Sequence, residues 1–232
     1  MANFFKDNDD LRFYFERGFD WPALAEMVEQ RYRLPDGFAS ADEATEFYRE
    51  VVEMVGEFVA EEIAPVAADI DRQGLTCEDG EVRFPKELDR IFKKIKGLDI
   101  HGMCLPRELG GLNCPAALYM ICTELFARAD VSVCAHHGFH GGMAMAMLFY
   151  SLSEGSTEVD RDKGTVISTR FADAIAEIVA GEAWGSMDLT EAGAGSDLAA
   201  LRAKGELDAD GTWRVTGEKI FITSGHAKYH FV

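Results

Sequence analysis

The chain has 232 residues, 47% hydrophobic and 28% charged, enough for one sizeable core or for a domain and a half. Its formal net charge of −18 excludes nucleic acid and anionic membrane surfaces as partners, because neither tolerates an acidic field without a concentrated basic patch, and no Lys/Arg cluster supplies one. Five cysteines (Cys77, Cys104, Cys114, Cys122, Cys134) form no Cys-x-x-Cys pair, and neither a signal-peptide pattern nor a membrane-spanning apolar run is visible; free thiols and a cytoplasmic location are expected.

Residues 1–39 form a leader rich in rings: Phe4, Phe5, Phe13, Tyr14, Phe15, Phe19 and Trp21. So many exposed rings would be an aggregation hazard, so the leader is expected to dock on the body or on a neighbouring subunit. Acidic residues dominate its polar positions, which argues against a membrane-surface helix.

Residues 40–183 read as a helical domain. Ser40 and Glu43 make a capping box, and Phe47, Val51, Met54, Val55, Phe58, Val59 and Ile63 continue at helical spacing until Pro65 ends or kinks the helix. Pro85 suits the first turn of a second helix through about Lys96, whose buried stripe is Leu88, Ile91, Phe92 and Ile95; Lys93, Lys94 and Lys96 complement its dipole, and Gly97 closes it. A loop with Pro106, Gly110, Gly111 and Pro115 leads to an apolar helix from Ala116 to Ala129, and Asp130 separates it from another at Val131 to Tyr150.

This last helix is rich in small residues and methionine (Gly138, Gly141, Gly142, Met143, Ala144, Met145, Ala146, Met147). Small residues leave room for another backbone or a ligand, and methionines fill irregular apolar space; core packing is the simpler reading. His136 and His140 have the i,i+4 spacing of zinc proteases, but His137 stands where those enzymes carry a Glu and no further ligand follows, so polar lining of a pocket or a helix contact is expected rather than a metal site. Residues 151–169 are polar and poorly periodic, a loop by this reading, and Phe171, Ile175, Ile178 and Val179 form a short amphipathic helix ending at Gly181.

Residues 184–232 switch to period two. Gly193, Gly195, Ser196 and Asp197 form a glycine-rich loop able to contact a phosphate, although no third glycine stands at Leu198 and a Rossmann fingerprint fits poorly. Asp210-Gly211 signals a hairpin, Trp213 and Val215 alternate with Arg214 and Thr216, and Ile220 and Ile222 alternate with Phe221 and Thr223. The pattern predicts consecutive antiparallel strands and therefore an α+β chain: an all-α helical domain followed by an incomplete antiparallel β-domain. Two readings stay open here, a sandwich edge with Ser/Gly turns and a wall against which a flat isoalloxazine ring packs.

The segments MDLTEAGAGSD and GEKIFITSGHAKYHFV, at this separation, closely resemble the middle-domain signature of the flavin-dependent acyl-CoA dehydrogenases. CLPRELGGL and IAEIVAGE resemble that family's Pro-x-x-x-Gly-Gly loop and its entry into the middle domain, so the likeness runs from about Ser40 onward. The resemblance implies FAD as cofactor. Met187, Leu189 and Thr190 match the strand touching the flavin ring. Gly195 and Ser196 match the loop reaching phosphates and bound acyl-CoA, with Ser196 also on the substrate. Phe221, Ile222 and Thr223 match the Trp-Ile-Thr that packs on the flavin. Ala192 replaces the usual Pro, Phe221 the usual Trp, Ile175-Ala176 the usual Leu-Pro, and a Gln-Lys before them is missing.

The resemblance further implies α,β-dehydrogenation of an acyl-CoA thioester in fatty-acid metabolism, an electron-transfer flavoprotein or similar acceptor, and a homo-oligomer or completion by a further polypeptide segment. In the family the catalytic base is a Glu of a C-terminal helical domain, which these residues do not include, so the catalytic residue is unknown; Asp188 and Glu191 are assigned structural hydrogen bonds. The alternatives are a non-catalytic relative acting as an interaction subunit, and an acyl-CoA oxidase or flavin monooxygenase on the same fold.

Overall fold

A computed structural model describes residues 2–232. The helices are α1 (Asp9–Phe13), α2 (Trp21–Val28), α3 (Ala41–Phe58), α4 (Ala67–Gln73), α5 (Lys86–Lys96), α6 (Ala116–Ala129), α7 (Val131–Glu154) and α8 (Ala172–Val179). The strands are short and lie in pairs. β1 (Thr76–Glu78) with β2 (Glu81–Arg83), β3 (Thr157–Asp160) with β4 (Thr165–Thr169), and β6 (Lys204–Leu207) with β7 (Trp213–Thr216) are antiparallel hairpins. β5 (Gly185–Met187) pairs with β8 (Tyr229–Phe231) in parallel.

Local chemistry sets most boundaries. Ser40 Oγ accepts from Glu43 N (3.2 Å), and the Glu43 carboxylate reaches back to Ala39 N (2.8 Å), one residue earlier than in a standard capping box. α3 continues through a π-helical turn, Val59–Ile63, and stops before Pro65, which has no N–H to extend it. Asp130 caps α7 by accepting from Ser132 N (2.8 Å) and Val133 N (2.9 Å). Gly155, left-handed at φ 79°, ends the same helix.

The main core lies among α3, α5 and α6, and the leader is part of it. Phe5 and Phe15 are fully buried, Trp21 nearly so, and Trp21 Nε1 donates to the Phe15 carbonyl (2.6 Å). Phe13 and Tyr14 stay exposed. The leader's far end is fixed by Glu29, whose fully buried carboxylate receives Arg107 bidentately (3.0 and 2.7 Å), with the guanidinium over the Phe38 ring.

Two expectations fail. Residues 151–169 are not a loop: α7 runs to Glu154 and β3–β4 follow, tied to the helix by buried hydroxyls, Thr157 Oγ1 donating to Ser151 Oγ (2.6 Å) and lying 2.9 Å from Thr169 Oγ1. Here hydroxyl pairing replaces the apolar alternation that marks a half-buried strand. Residues 220–223 are not a strand: Phe221 and Ser224 have positive φ (56° and 58°), and turns close from Gly225 N to Ile222 O and from Ala227 N to Ser224 O. Alternation makes a strand only where a neighbour supplies a ladder, and among the described residues the bond from Ile220 N to the Thr190 carbonyl is not continued into one. The β region is accordingly a hairpin plus one parallel pair, not a run of consecutive antiparallel strands.

Breaking a buried ion pair leaves its partner uncompensated, so Glu29→Ala should lower unfolding free energy by about 3 kcal/mol in urea titrations. The double variant Glu29→Met/Arg107→Met should recover most of that loss. A single variant within about 0.5 kcal/mol of the parent would show that the pair does not hold the leader.

Candidate functional site

Helix α7 separates two cavities. On one face it presents Ala135, Gly138, Gly142 and Ala146, and these face Met187, Leu189 and Phe231 across an apolar space of about 480 Å³. The small side chains create the space: a Cβ added at Gly142 would meet nothing within 4 Å. The approach of β5 depends on another glycine, because a Cβ at Gly185 would lie 2.6 Å from Met143 atoms.

β5 and β8 are stitched by side chains as well as by their ladder. Ser186 Oγ donates to Asp188 Oδ1 (2.7 Å), and His230 Nδ1 lies 2.8 Å from Ser186 Oγ and 2.9 Å from Asp188 Oδ2. Serine, histidine and aspartate in one place suggest a nucleophilic relay, but the geometry denies it. Ser186 is fully buried, it meets the same ring nitrogen as Asp188, and Nε2 is spent on the Ala227 carbonyl (3.0 Å). The group is a brace.

The two signature segments are joined at Glu191. Its carboxylate accepts from Arg202 N (2.8 Å), Ala203 N (2.9 Å) and Lys219 Nζ (2.9 Å), and Lys219 also donates to the Leu189 carbonyl (3.1 Å). The Lys219 bond and the two backbone N–H groups hold Glu191 well below the usual carboxylate range, at about 2. Ile220 N donates to the Thr190 carbonyl (2.9 Å), adding a backbone link between the same segments.

Of the residues singled out by sequence, Met187 and Leu189 line the apolar cavity. Thr190 is half-buried beside it and lines neither this cavity nor the next. Thr223 lines a separate cavity of about 310 Å³ with Ile70, Leu88, Phe92 and His136. Ile222 is half-buried, Phe221 is 89% exposed, and Gly195 and Ser196 sit on an exposed loop. The fold therefore brings Met187 and Leu189 onto one cavity and does not gather Thr190, Phe221 and Thr223 into a shared slot. The turned backbone at 221–224 is the physical cause.

The second face of α7 carries the three histidines singled out by sequence, whose partner His101 sequence reasoning missed. His136, His137 and His140 are buried there and are joined by His101 from the turn after α5, stacked on His140 at 3.9 Å between ring centroids. His101 reaches them because Gly141 lets its carbonyl approach to 2.4 Å from where a Cβ would stand. Burial holds all four imidazoles neutral, helped at His101, His136 and His137 by repulsion from neighbouring histidines and opposed at His140 by backbone hydrogen bonds, with His101 down at about 2, His136 and His137 at about 3 and His140 at about 4. Among the described residues no group of three His, Cys, Asp or Glu side chains is arranged to hold a metal ion. The 35-residue separation of His101 from the α7 histidines hid this cluster from any spacing rule.

Comparison with known proteins gives a consistent picture. Residues 45–158 match the family described as acyl-CoA dehydrogenase, N-terminal domain. The chain is 28% identical over 217 residues to 3-methylmercaptopropionyl-CoA dehydrogenase of Ruegeria pomeroyi, covering 93% of this chain and 32% of the relative. Its fold is similar to butyryl-CoA dehydrogenase from Megasphaera elsdenii (TM-score 0.59, 20% identity, 78% of this chain and 42% of that one). It is similar too to an acyl-CoA dehydrogenase complexed with FAD from Bacillus anthracis (TM-score 0.57, 19% identity, 84% and 28%). The chain thus spans about a third of the length of the curated relative it matches.

The buried neutral histidines make stability depend on pH. Unfolded, each takes up a proton near 6.5; folded, each resists until about 4 or below. Their contribution is fully present above about 6.5 and falls as pH drops toward 4, by up to about 1.4 kcal/mol per pH unit for each histidine. Urea titrations across that window should show the slope, and His137→Phe should make it shallower by the share of one histidine in four. Glu191 acts lower, its contribution lost only as pH falls from about 4.5 toward 2, and Glu191→Gln should remove that acid limb alone. A profile flat from pH 7 to 4 would contradict the cluster.

Proposed function

Taking as premise that residues 45–158 are an acyl-CoA dehydrogenase N-terminal domain, we propose that the chain is the N-terminal part of an FAD-dependent acyl-CoA dehydrogenase. Its contribution to the site is the seat for the acyl chain of a CoA thioester, between α7 and the β5–β8 pair. The apolar space of about 480 Å³ faced by Gly138, Gly142, Met187 and Leu189 carries this reading. Such a space takes an aliphatic chain by dehydration and offers it no polar group to leave unpaired.

The reaction proposed is α,β-dehydrogenation: a carboxylate takes the α-proton, and a bound flavin supplies the acceptor for the β-hydride. Neither carboxylate near the cavity suits the proton. Glu191 is committed to three donors and Asp188 to the Ser186–His230 brace. The base is assigned to no residue of this chain. Met187 at the end of β5, with Leu189 and Thr190 just after it, suits one side of a flavin, whereas Phe221, Ile222 and Thr223, as folded here, do not form the other side. Gly195 and Ser196, on an open loop, suit contact with phosphate or the thioester's CoA portion.

The reading includes an electron-transfer flavoprotein or similar acceptor, a place in fatty-acid metabolism and a homo-oligomer in the cytoplasm. Support comes from five free thiols, from the exposed Phe149 and Tyr150 on α7, and from the FAD bound by the Bacillus anthracis neighbour. Among the described residues no helix is long and apolar enough to cross a membrane.

Gly142→Leu tests the acyl seat directly. The added side chain enters open space and replaces glycine in a helix, so thermal stability should hold or rise by up to about 1 kcal/mol. Turnover of acyl-CoA by the full-length gene product should fall at least about tenfold, through a higher KM for longer chains first. Unchanged acyl-CoA kinetics, or a purified full-length protein with no flavin absorbance, would overturn the assignment.

A further inference from the structure

The acyl seat has a length and a direction as well as a volume. Its lining residues on α7 run from Ala135 to Tyr150, about four helical turns. The small ones among them, Ala135, Gly138, Gly142 and Ala146, recur at spacings of three and four, which keeps them on one face of the helix. From Ala135 to Ala146 the helix rises about 16 Å. Met187, Leu189 and Phe231 stand opposite, so the space is a groove that follows the helix axis.

The two ends of the groove differ chemically. At the C-terminal end of α7, Tyr150 is the last helix residue on the cavity, and it stacks on Phe231 with ring centroids 5.6 Å apart and planes 29° from parallel. Phe231 is fixed there by its place in the β5–β8 ladder, opposite Met187. At the other end, Ala135 lines both this cavity and the one of about 310 Å³, whose walls include Ser132, Thr223 and Ser224. Hydroxyls therefore lie beyond one end, and a pair of rings closes the other. Along the groove itself, Tyr150 is the one lining residue whose side chain carries a hydrogen-bonding group.

We propose that the seat takes a wholly apolar acyl chain of about twelve carbons, its thioester at the Ala135 end and its methyl end against the Tyr150–Phe231 stack. The inference rests on the acyl seat proposed above and adds the chain's length and direction. An extended backbone covers three bonds in about 3.3–3.6 Å, so a chain laid along about 16 Å has about thirteen bonds. The thioester carbonyl needs polar company, which only the Ala135 end adjoins. A carboxylate at the far end of the chain would be stranded against rings and methyl groups. Ala146 and Tyr150 are then the residues that set chain length: a larger side chain at Ala146 fills the last turn of the groove, and Tyr150 is its stop.

The test is a kinetic series on the full-length gene product with saturated CoA thioesters from butanoyl to hexadecanoyl. KM should fall about two- to fourfold for each methylene that leaves water and should level off near dodecanoyl. Ala146→Phe should bring the levelling point about four carbons earlier, because one helical turn of about 5.4 Å spans four to five bonds. Tyr150→Ala, at a position 62% exposed, should carry it past tetradecanoyl, and it serves as the second variant should the first fail to fold. The mono-CoA thioester of dodecanedioic acid should show a KM at least about a hundredfold above that of dodecanoyl-CoA. The proposal is overturned by levelling at or before hexanoyl, by a levelling point that neither folded variant moves, or by equal acceptance of the carboxylated chain. Failure to turn over any of the thioesters overturns the acyl seat and this inference together, whereas turnover best with short chains removes the length alone.

Discussion

The space beside β5 depends on the small side chains that α7 places among its larger ones. Ala135, Gly138, Gly142 and Ala146 leave room among Phe139, Met143 and Tyr150 of the same helix, and the β5–β8 pair stands opposite. The pair is held off by Met143 and Phe231 and held in place by Gly185, whose missing Cβ lets the strand pass Met143. A cavity persists because filling it would require backbone to move that is already fixed by these contacts.

The fixing is electrostatic and local. Glu191 gathers two backbone N–H groups and Lys219, so the glycine-rich loop and the segment after the β6–β7 hairpin move as one piece. Ser186, Asp188 and His230 do the same for β5 and β8. The Glu29–Arg107 pair ties the leader to the loop before α6. Each joint is polar, has a buried member (Glu191, Ser186 or Glu29) and links segments far apart in sequence, which is how short elements with few strands keep a defined site.

The sequence made the helices legible because their signals are local: a capping box at Ser40, prolines at 65 and 85, and apolar spacing along α5 and α6 each specify an element without reference to the rest. Met187 and Leu189, which the resemblance matches to a flavin-contacting strand, line the apolar cavity beside α7. What stayed hidden depends on partners. The Thr157, Thr169 and Ser151 hydroxyls make a polar stretch into a hairpin only once they meet. Phe221 to Thr223 alternate like a strand but find no ladder and turn instead. His101 belongs with the α7 histidines only after Gly141 lets its backbone come close. Spacing rules register neighbours along the chain and not those folding brings together.

The bare face of α7 is most directly tested by a crystal structure of the protein soaked with a short acyl-CoA. If the account is right, the acyl carbons lie against Gly138 and Gly142 with Met187 opposite, and the histidine-lined space across the helix holds none of them. Acyl density on any other face of α7, or a space between α7 and β5 closed by side chains in the crystal, would contradict it.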